Sequence, residues 1–213
     1  MDKMASGWIN GFLGVVIFAG SLPATRVAVA DFDPVFLTLA RAAIAGLVAL
    51  GLLFAFREKR PEPRDLVPLT VVSLCVVIGF PLLTALALRH ITSAHSVVYV
   101  GLLPLSTAIF GVLRGGERPR LGFWLFSLLG SAVVVGYALS GSGGEVSLAG
   151  DGLMLAAIVV CGLGYAEGGR LSRRLGGFQV IAWALILSLP LMGLLALATR
   201  PDSVAMVGAG ARR

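Results

Sequence analysis

Hydrophobic residues occur in seven long and nearly uninterrupted segments along this chain. Each segment is close to the roughly 20 apolar residues that a helix needs to cross a bilayer. The breaks between segments are short and contain proline, glycine or charged residues, which favour turns and helix ends. The predicted membrane-spanning helices cover residues 8–29, 34–56, 66–88, 94–113, 121–140, 150–169 and 178–198.

The short connections mean that neighbouring helices must run in opposite directions through the bilayer. Composition agrees with this arrangement, because 57% of the residues are hydrophobic and only 13% are charged. A soluble domain carries about 25% charged residues. The sequence therefore predicts an all-α integral membrane protein, a polytopic bundle of seven spans whose main partner is the lipid bilayer.

The net charge of +6 comes mainly from Lys and Arg in the connections between spans. These residues concentrate in the second, fourth and sixth connections, which lie on the same side of the membrane as the amino terminus with its Lys3. The positive-inside rule then places the amino terminus in the cytoplasm. We expect a multi-pass protein of a bacterial-type plasma (inner) membrane, and the dispersed basic residues do not indicate nucleic-acid binding.

Residues 84–139 carry a recognisable order of features. A short polar turn leads to Ser93-Ala94, and further features follow in the order Pro104 in mid-helix, Gly116-Glu117-Arg118, Trp124 near a helix start, and small residues from Gly130 to Gly136. This order resembles the EamA unit of the drug/metabolite transporter superfamily. The resemblance implies ten spanning helices in two five-helix units of inverted orientation.

A weak internal repeat agrees with that organisation. The segments Gly20 to Arg26 and Gly164 to Arg170 have the same spacing and lie 144 residues apart, separated by an odd number of spans. Inverted repeats are common in secondary transporters. We predict a complete first unit at residues 1–141 and a partial second unit at 150–213, an incomplete inverted repeat that lacks three spans of the second unit.

The resemblance implies secondary transport of small metabolites, such as amino acids or amphipathic compounds, by alternating access, with export as the predicted direction. An alternative is a non-transporting membrane scaffold or a degenerate, truncated carrier fragment, because only seven spans are present. A less favoured alternative is an intramembrane hydrolase that uses His90 or His95 with Ser140 or Ser142. We expect no enzyme activity, and two incomplete copies could complement each other as a homodimer.

Arg41 is the most informative single residue because it lies about 10 Å into the second span. A charge in the membrane interior is costly and should face a partner or a cavity. Arg41 could anchor the carboxylate of a small-molecule substrate, or it could pair with Asp31 or Asp33. Family members often have an arginine at the matching point, which fits either role.

His95 and Tyr99 share one face of the fourth span because they are four residues apart. They could bind polar groups of a substrate, or they could lie at the headgroups, where amphipathic rings are common. Arg26, within one turn of a membrane boundary, has the same two readings: a cavity residue, or a side chain that extends to the interface.

Pro23 and Pro104 lie inside predicted spans, where proline removes a backbone hydrogen bond. We predict that they act as hinges or line a cavity. Glu167 is expected to pair with Arg170 three residues later rather than to carry protons. The sequence contains no metal-ligand cluster, no P-loop and no cofactor motif, so no metal or cofactor is predicted.

Overall fold

The computed structural model of the chain describes residues 3–139 and 147–199, which form helices joined by short connections and contain no strand. This confirms the all-α prediction. The helices are α1 Lys3–Ala19, α2 Ser21–Asp31, α3 Pro34–Ala55, α4 Pro63–Val72, a π-helix Ser73–Gly79, α5 Phe80–Ala87, α6 Ser93–Val100, α7 Leu103–Gly115, α8 Leu121–Leu139, α9 Leu148–Leu175 and α10 Gly177–Ala198.

Within the described residues, six helical stretches are long and apolar enough to cross a membrane, and they correspond to six of the seven predicted spans. The remaining predicted span, 121–140, corresponds to α8, in which Leu121–Gly136 forms a shorter apolar stretch. Large apolar side chains of α1 and α8, such as Trp8, Phe12 and Phe126, are exposed on the outside of the bundle. The prediction of a polytopic membrane helix bundle is confirmed.

Two spans that the sequence predicts as continuous helices are each divided in two. A proline ring clashes with the carbonyl group four residues earlier. Accordingly, α1 ends at Ala19, four residues before Pro23, and α6 ends at Val100, four residues before Pro104. The structure thus places a helix break at both prolines that the sequence suggests as hinges.

Helix α9 is longer than the sequence predicts. The predicted span ends at residue 169, with Arg170, Arg173 and Arg174 in the following connection, but the helix has 28 residues and ends at Leu175. The predicted end is wrong because all three arginines have carboxylate partners and arginine favours helix. Gly176, with a φ of +85°, ends the helix in a conformation that suits glycine.

Helix α9 is the central element, since it packs against α4, the π-helix, α5, α6, α7 and α10. Glycines on α9 permit the closest approaches. A Cβ atom at Gly164 would lie 2.7 Å from the Cβ of Cys75 in the π-helix, and one at Gly162 would lie 2.7 Å from the Cβ of Ser106 on α7. Small residues therefore determine how tightly the bundle closes around α9.

Helices α3 and α10 pack along each other in opposite directions. Ala49 and Leu53, late in α3, cluster with Ala182, early in α10. Both helices have 22 residues, and Gly46 meets Leu189, which occupies the same position in its own helix. Contact between equivalent positions is expected of two inverted units, and the division into units at 1–141 and 150–213 stays a prediction.

Candidate functional site

A large cavity formed by the described residues lies between α7, the start of α8 and α9. Its volume is about 810 Å³, within the range typical of small-molecule sites. Most of its wall is apolar, and charged groups stand in the connection after α7. The lining residues are Val100, Leu103, Pro104, Thr107, Ala108, Glu117, Arg118, Pro119, Phe123 and Tyr165.

A turn at Gly116 places the charged side chains that line this cavity, Glu117 and Arg118. With a φ of +63°, this glycine reverses the chain at the end of α7, so that the Glu117 amide donates to the Gly111 carbonyl. The Glu117 side chain then lies against Gly111 and forms an ion pair with Arg173 of α9. This ion pair connects the turn after α7 to α9.

A second cavity, of about 400 Å³, lies between α9, α10, α4 and the π-helix. Thr107 and Tyr165 line both cavities. The Thr107 Oγ1 atom is buried and has no hydrogen-bond partner among the described residues. Buried hydroxyls are normally partnered, so the Thr107 hydroxyl is an exception within the described bundle. Thr107 and Tyr165 therefore form a wall that the two cavities share.

A buried carboxylate lies near the end of the bundle where α7 and α9 finish, called here the Glu167 end. The Glu167 side chain is 0% exposed, and Arg114 of α7 donates to its Oε1 from Nε at 2.7 Å and from Nη2 at 2.6 Å. Arg170 Nη2 lies 2.9 Å from Oε2. The predicted pair with Arg170 is confirmed, whereas the Arg114 contact was not foreseen.

A further buried acid at the Glu167 end joins α9 to α4. Asp65, which is 1% exposed, forms an ion pair with Arg174 and accepts a hydrogen bond from the Glu62 amide. The basic residues that indicate topology in the sequence therefore also form ion pairs with carboxylates of the bundle. They hold the carboxyl-terminal turns of α9 to three other parts of the bundle.

A polar cluster lies at the opposite end, where α6 and α9 begin, called here the His95 end. The His95 Nε2 atom lies 2.8 Å from Asp151 Oδ1, and the two side chains are 8% and 19% exposed. Tyr99 packs on the His95 ring with 5.6 Å between centroids and faces the same carboxylate. The cluster joins α6 to α9.

Comparison with known proteins identifies the class to which this bundle belongs. The model of the EamA-like transporter family matches residues 5–139. The chain belongs to this family. It is 65% identical over 208 residues to the uncharacterized transporter YdeK of Bacillus subtilis (strain 168), a match that covers 98% of this chain and 72% of the relative.

A second relative is more distant. The S-adenosylmethionine/S-adenosylhomocysteine transporter of Chlamydia muridarum (strain MoPn / Nigg) is 31% identical over 143 residues, which are 64% of this chain and 43% of that protein. No solved structure matches the chain. Family membership and both relatives support a transporter function for this multi-pass membrane protein.

The sequence-derived site residues occupy separate places in this EamA fold. Pro104 lines the large cavity, whereas His95 and Tyr99 meet Asp151 at the His95 end. Arg26 is half-buried and donates to the Leu88 carbonyl, and Pro23 is exposed. Their roles in transport stay predictions.

Arg41 is exposed on α3 and lines none of the cavities described above. Of its two suggested partners, Asp33 caps α3 by accepting from the Val35 and Phe36 amides. Among the described residues Arg41 forms no ion pair. Its role as a substrate anchor stays a prediction.

Several residues of interest were not foreseen from the sequence. Thr107, Tyr165 and Phe123 line the large cavity, and Asp151 and Arg114 complete the two polar contacts of α9. Only Asp151 gave a signal, as an acidic residue close to the start of a predicted span.

The two serines of the hydrolase alternative, Ser140 and Ser142, lie outside the described residues, so their placement near His90 or His95 stays a prediction. His90 is exposed, and the His95 ring is engaged by Asp151. Within residues 3–139 and 147–199, no group of three His, Cys, Asp or Glu side chains could hold a metal ion.

Proposed function

We propose that this chain is a secondary transporter that exports small metabolites by alternating access, with the α7–α8–α9 cavity as the substrate site. The observation that carries the proposal is the cavity of about 810 Å³ beside the helix break at Pro104. A cavity next to a divided helix is a common arrangement in transporters. The proposed setting is a bacterial-type plasma membrane, with the amino terminus and the Glu167 end in the cytoplasm.

The chemistry of the cavity favours amphipathic, amino-acid-like substrates. Phe123 and Tyr165 provide aromatic surface for an apolar or heteroaromatic body, and Thr107 offers a buried hydroxyl. Arg118 and Glu117 supply opposite charges at one wall, which suits a zwitterion. The name of the Chlamydia muridarum relative supports this class, since S-adenosylmethionine joins an amino acid to an aromatic base.

Removal of the Tyr165 ring should impair transport more than it impairs folding. In proteoliposomes of the purified chain, Tyr165→Ala is expected to lower the initial rate with radiolabelled S-adenosylmethionine or amino acids about 10-fold, as for a loss of about 1.4 kcal/mol in binding. The matched control is Phe54→Ala, which removes a ring that is 88% exposed on the bundle surface. Equal rates for the two variants would mean that the substrate site is not in this cavity. If the parent chain transports neither S-adenosylmethionine nor any of the amino acids, the proposed function is overturned.

Two arginines compete for the role of carboxylate anchor. Arg118 lines the cavity, whereas Arg41 is the residue that the sequence suggests. If the cavity binds substrate as proposed, Arg118→Gln should raise the KM for carboxylate substrates about 10-fold and leave decarboxylated analogues unaffected. Arg41→Gln, measured in the same assay, should then resemble the exposed control Arg60→Gln. The opposite ranking would favour Arg41 as the anchor.

A further inference from the structure

The divided span α6–α7 is attached to α9 at three levels. His95 meets Asp151 at one end, Ser106 meets Gly162 in the middle, and Arg114 meets Glu167 at the other end. Along α9, Asp151 and Glu167 are about 24 Å apart. The two polar contacts therefore lie on opposite sides of a central, non-ionic contact.

The central contact is a close approach of the two helices. The Ser106 hydroxyl donates to the Ile158 carbonyl at 3.1 Å, and Gly162 leaves no space for even a methyl group beside Ser106. Neither residue carries a charge, so this contact does not respond to pH. It can act as a fixed point about which the ends of the span move.

The chain can bend between the His95 end and this fixed point. Residues Gly101 and Leu102 separate α6 from α7, and Pro104 has no amide hydrogen to donate to the Val100 carbonyl. Helix α6 can therefore tilt away from α9 while α7 stays in contact with it. The Glu167 end does not need to move for the His95 end to open.

The two polar contacts differ in their response to protons. Arginine stays charged at all physiological pH values, so Arg114 and Arg170 hold Glu167 permanently. Histidine is the side chain whose ordinary pKa places its charge change between about pH 5 and 8. A charged His95 and Asp151 form an ion pair of zero net charge, whereas a neutral ring leaves a buried net negative charge, which is costly in a membrane protein.

The surroundings of His95 contain few other groups that could mask this change. Helix α8 packs on α6, and its described side chains, residues 121–136, include no titratable group; α5 has none either. The titratable or charged side chains of the other elements nearby are Tyr99 on α6, Arg89 and His90 in the preceding turn, Arg26 and Asp31 on α2, and Asp151 on α9. Arg89 and His90 are exposed to the surroundings, and only Asp151 bonds to the His95 ring among the described residues.

We propose that His95 and Asp151 form the proton-binding site of this transporter and act as a latch that closes the His95 end. The proton adds to Nδ1 of the ring, because the Asp151 carboxylate can only accept and Nε2 must therefore carry the hydrogen between them. The charged pair holds α6 against α9, and loss of the proton weakens the pair to a single hydrogen bond, so that α6 tilts outward at Gly101–Leu102. The link to substrate movement rests on the proposed function, whereas the latch itself does not.

The chain is well suited to a direct measurement, because it contains only two histidines. In nanodiscs, ¹⁵N-histidine NMR of the His90→Gln variant reports the ring of His95 alone. Nitroxide spin labels at Ala94→Cys and Gly152→Cys, two exposed positions on α6 and α9, report the distance between the helices. The native cysteines, Cys75 and Cys161, are buried.

We expect the labelled helices to separate as pH rises through the titration of His95. The ratio of open to closed populations should increase by up to about 10-fold per pH unit, the limit for one linked proton. His95→Gln, which keeps a donor but cannot be charged, should abolish this dependence, and so should Asp151→Asn. Labels at Leu113→Cys and Gly169→Cys, exposed positions at the Glu167 end, should show no change.

The latch is overturned if the His95 ring neither gains nor loses a proton over the pH range in which the α6–α9 distance is followed, or if it does so while that distance stays constant. A pH-dependent distance that persists in His95→Gln also overturns it, since another group would then be responsible. No substrate enters these measurements. A latch without transport would therefore refute the proposed function alone, and transport without the latch would refute this inference alone.

Discussion

The combined substitution Arg114→Gln and Arg170→Gln is expected to lower the free energy of unfolding by about 3–5 kcal/mol. Glu167 is 0% exposed, and these two arginines are its ionic partners among the described residues. Without them a carboxylate must either stay charged away from water or take up a proton, and both are costly. Thermal unfolding in detergent, followed by tryptophan fluorescence, measures the loss.

Two comparisons separate this effect from the loss of positive charge alone. Arg60→Gln with Arg120→Gln removes two exposed arginines and should change the unfolding temperature little. Adding Glu167→Gln to the first double variant should restore most of the stability, because the buried charge is then gone. A triple variant as unstable as the double one would mean that the arginine side chains stabilise the bundle by packing instead.

The membrane fold could be predicted because side chains that face lipid must be apolar, and hydropathy measures this property residue by residue. An uninterrupted run of about 20 apolar residues is typical of a membrane-spanning helix, and all seven runs correspond to helices. The breaks before Pro23 and Pro104 could also have been placed, since proline disrupts the turn that precedes it. The end of α9 could not be predicted, because hydropathy is equally low for arginines within a helix and for arginines in a connection.

The polar contacts were harder to predict because they depend on which spans are neighbours. Arg114 and Glu167, and likewise His95 and Asp151, lie more than 50 residues apart in sequence. Nothing in either local pattern shows that α9 packs beside α6 and α7. Arg41 illustrates the reverse case: its charge inside a span was evident, but the side chain is exposed rather than directed into a described cavity.

The packing role of individual glycines depends on the helix that faces them. Gly162 and Gly164 are both buried against neighbouring helices. A Cβ atom added at Gly152, on the same helix, would meet no neighbouring atom within 4 Å. Sequence alone does not distinguish these glycines, because the difference lies in the facing helix.

Gly162→Ala is therefore expected to destabilise the bundle by about 1–3 kcal/mol, the usual cost of overpacking. The new methyl group would overlap the Ser106 hydroxyl and lie 2.9 Å from the Ser106 carbonyl carbon, so α7 and α9 must separate. Because that carbonyl belongs to the backbone, a change of rotamer cannot relieve the clash. The unfolding temperature in detergent measures the loss.

Gly152→Ala provides the matched control, because it makes the same change on the same helix in open space. It should be neutral or slightly stabilising, since alanine favours helix over glycine by up to about 1 kcal/mol. Ser106→Gly should rescue Gly162→Ala only in part, because it removes the hydroxyl and Cβ but leaves the carbonyl carbon in place. If Gly162→Ala and Gly152→Ala unfold at the same temperature, α7 and α9 do not approach as closely as described, and the central fixed point of the proposed latch is lost with that contact.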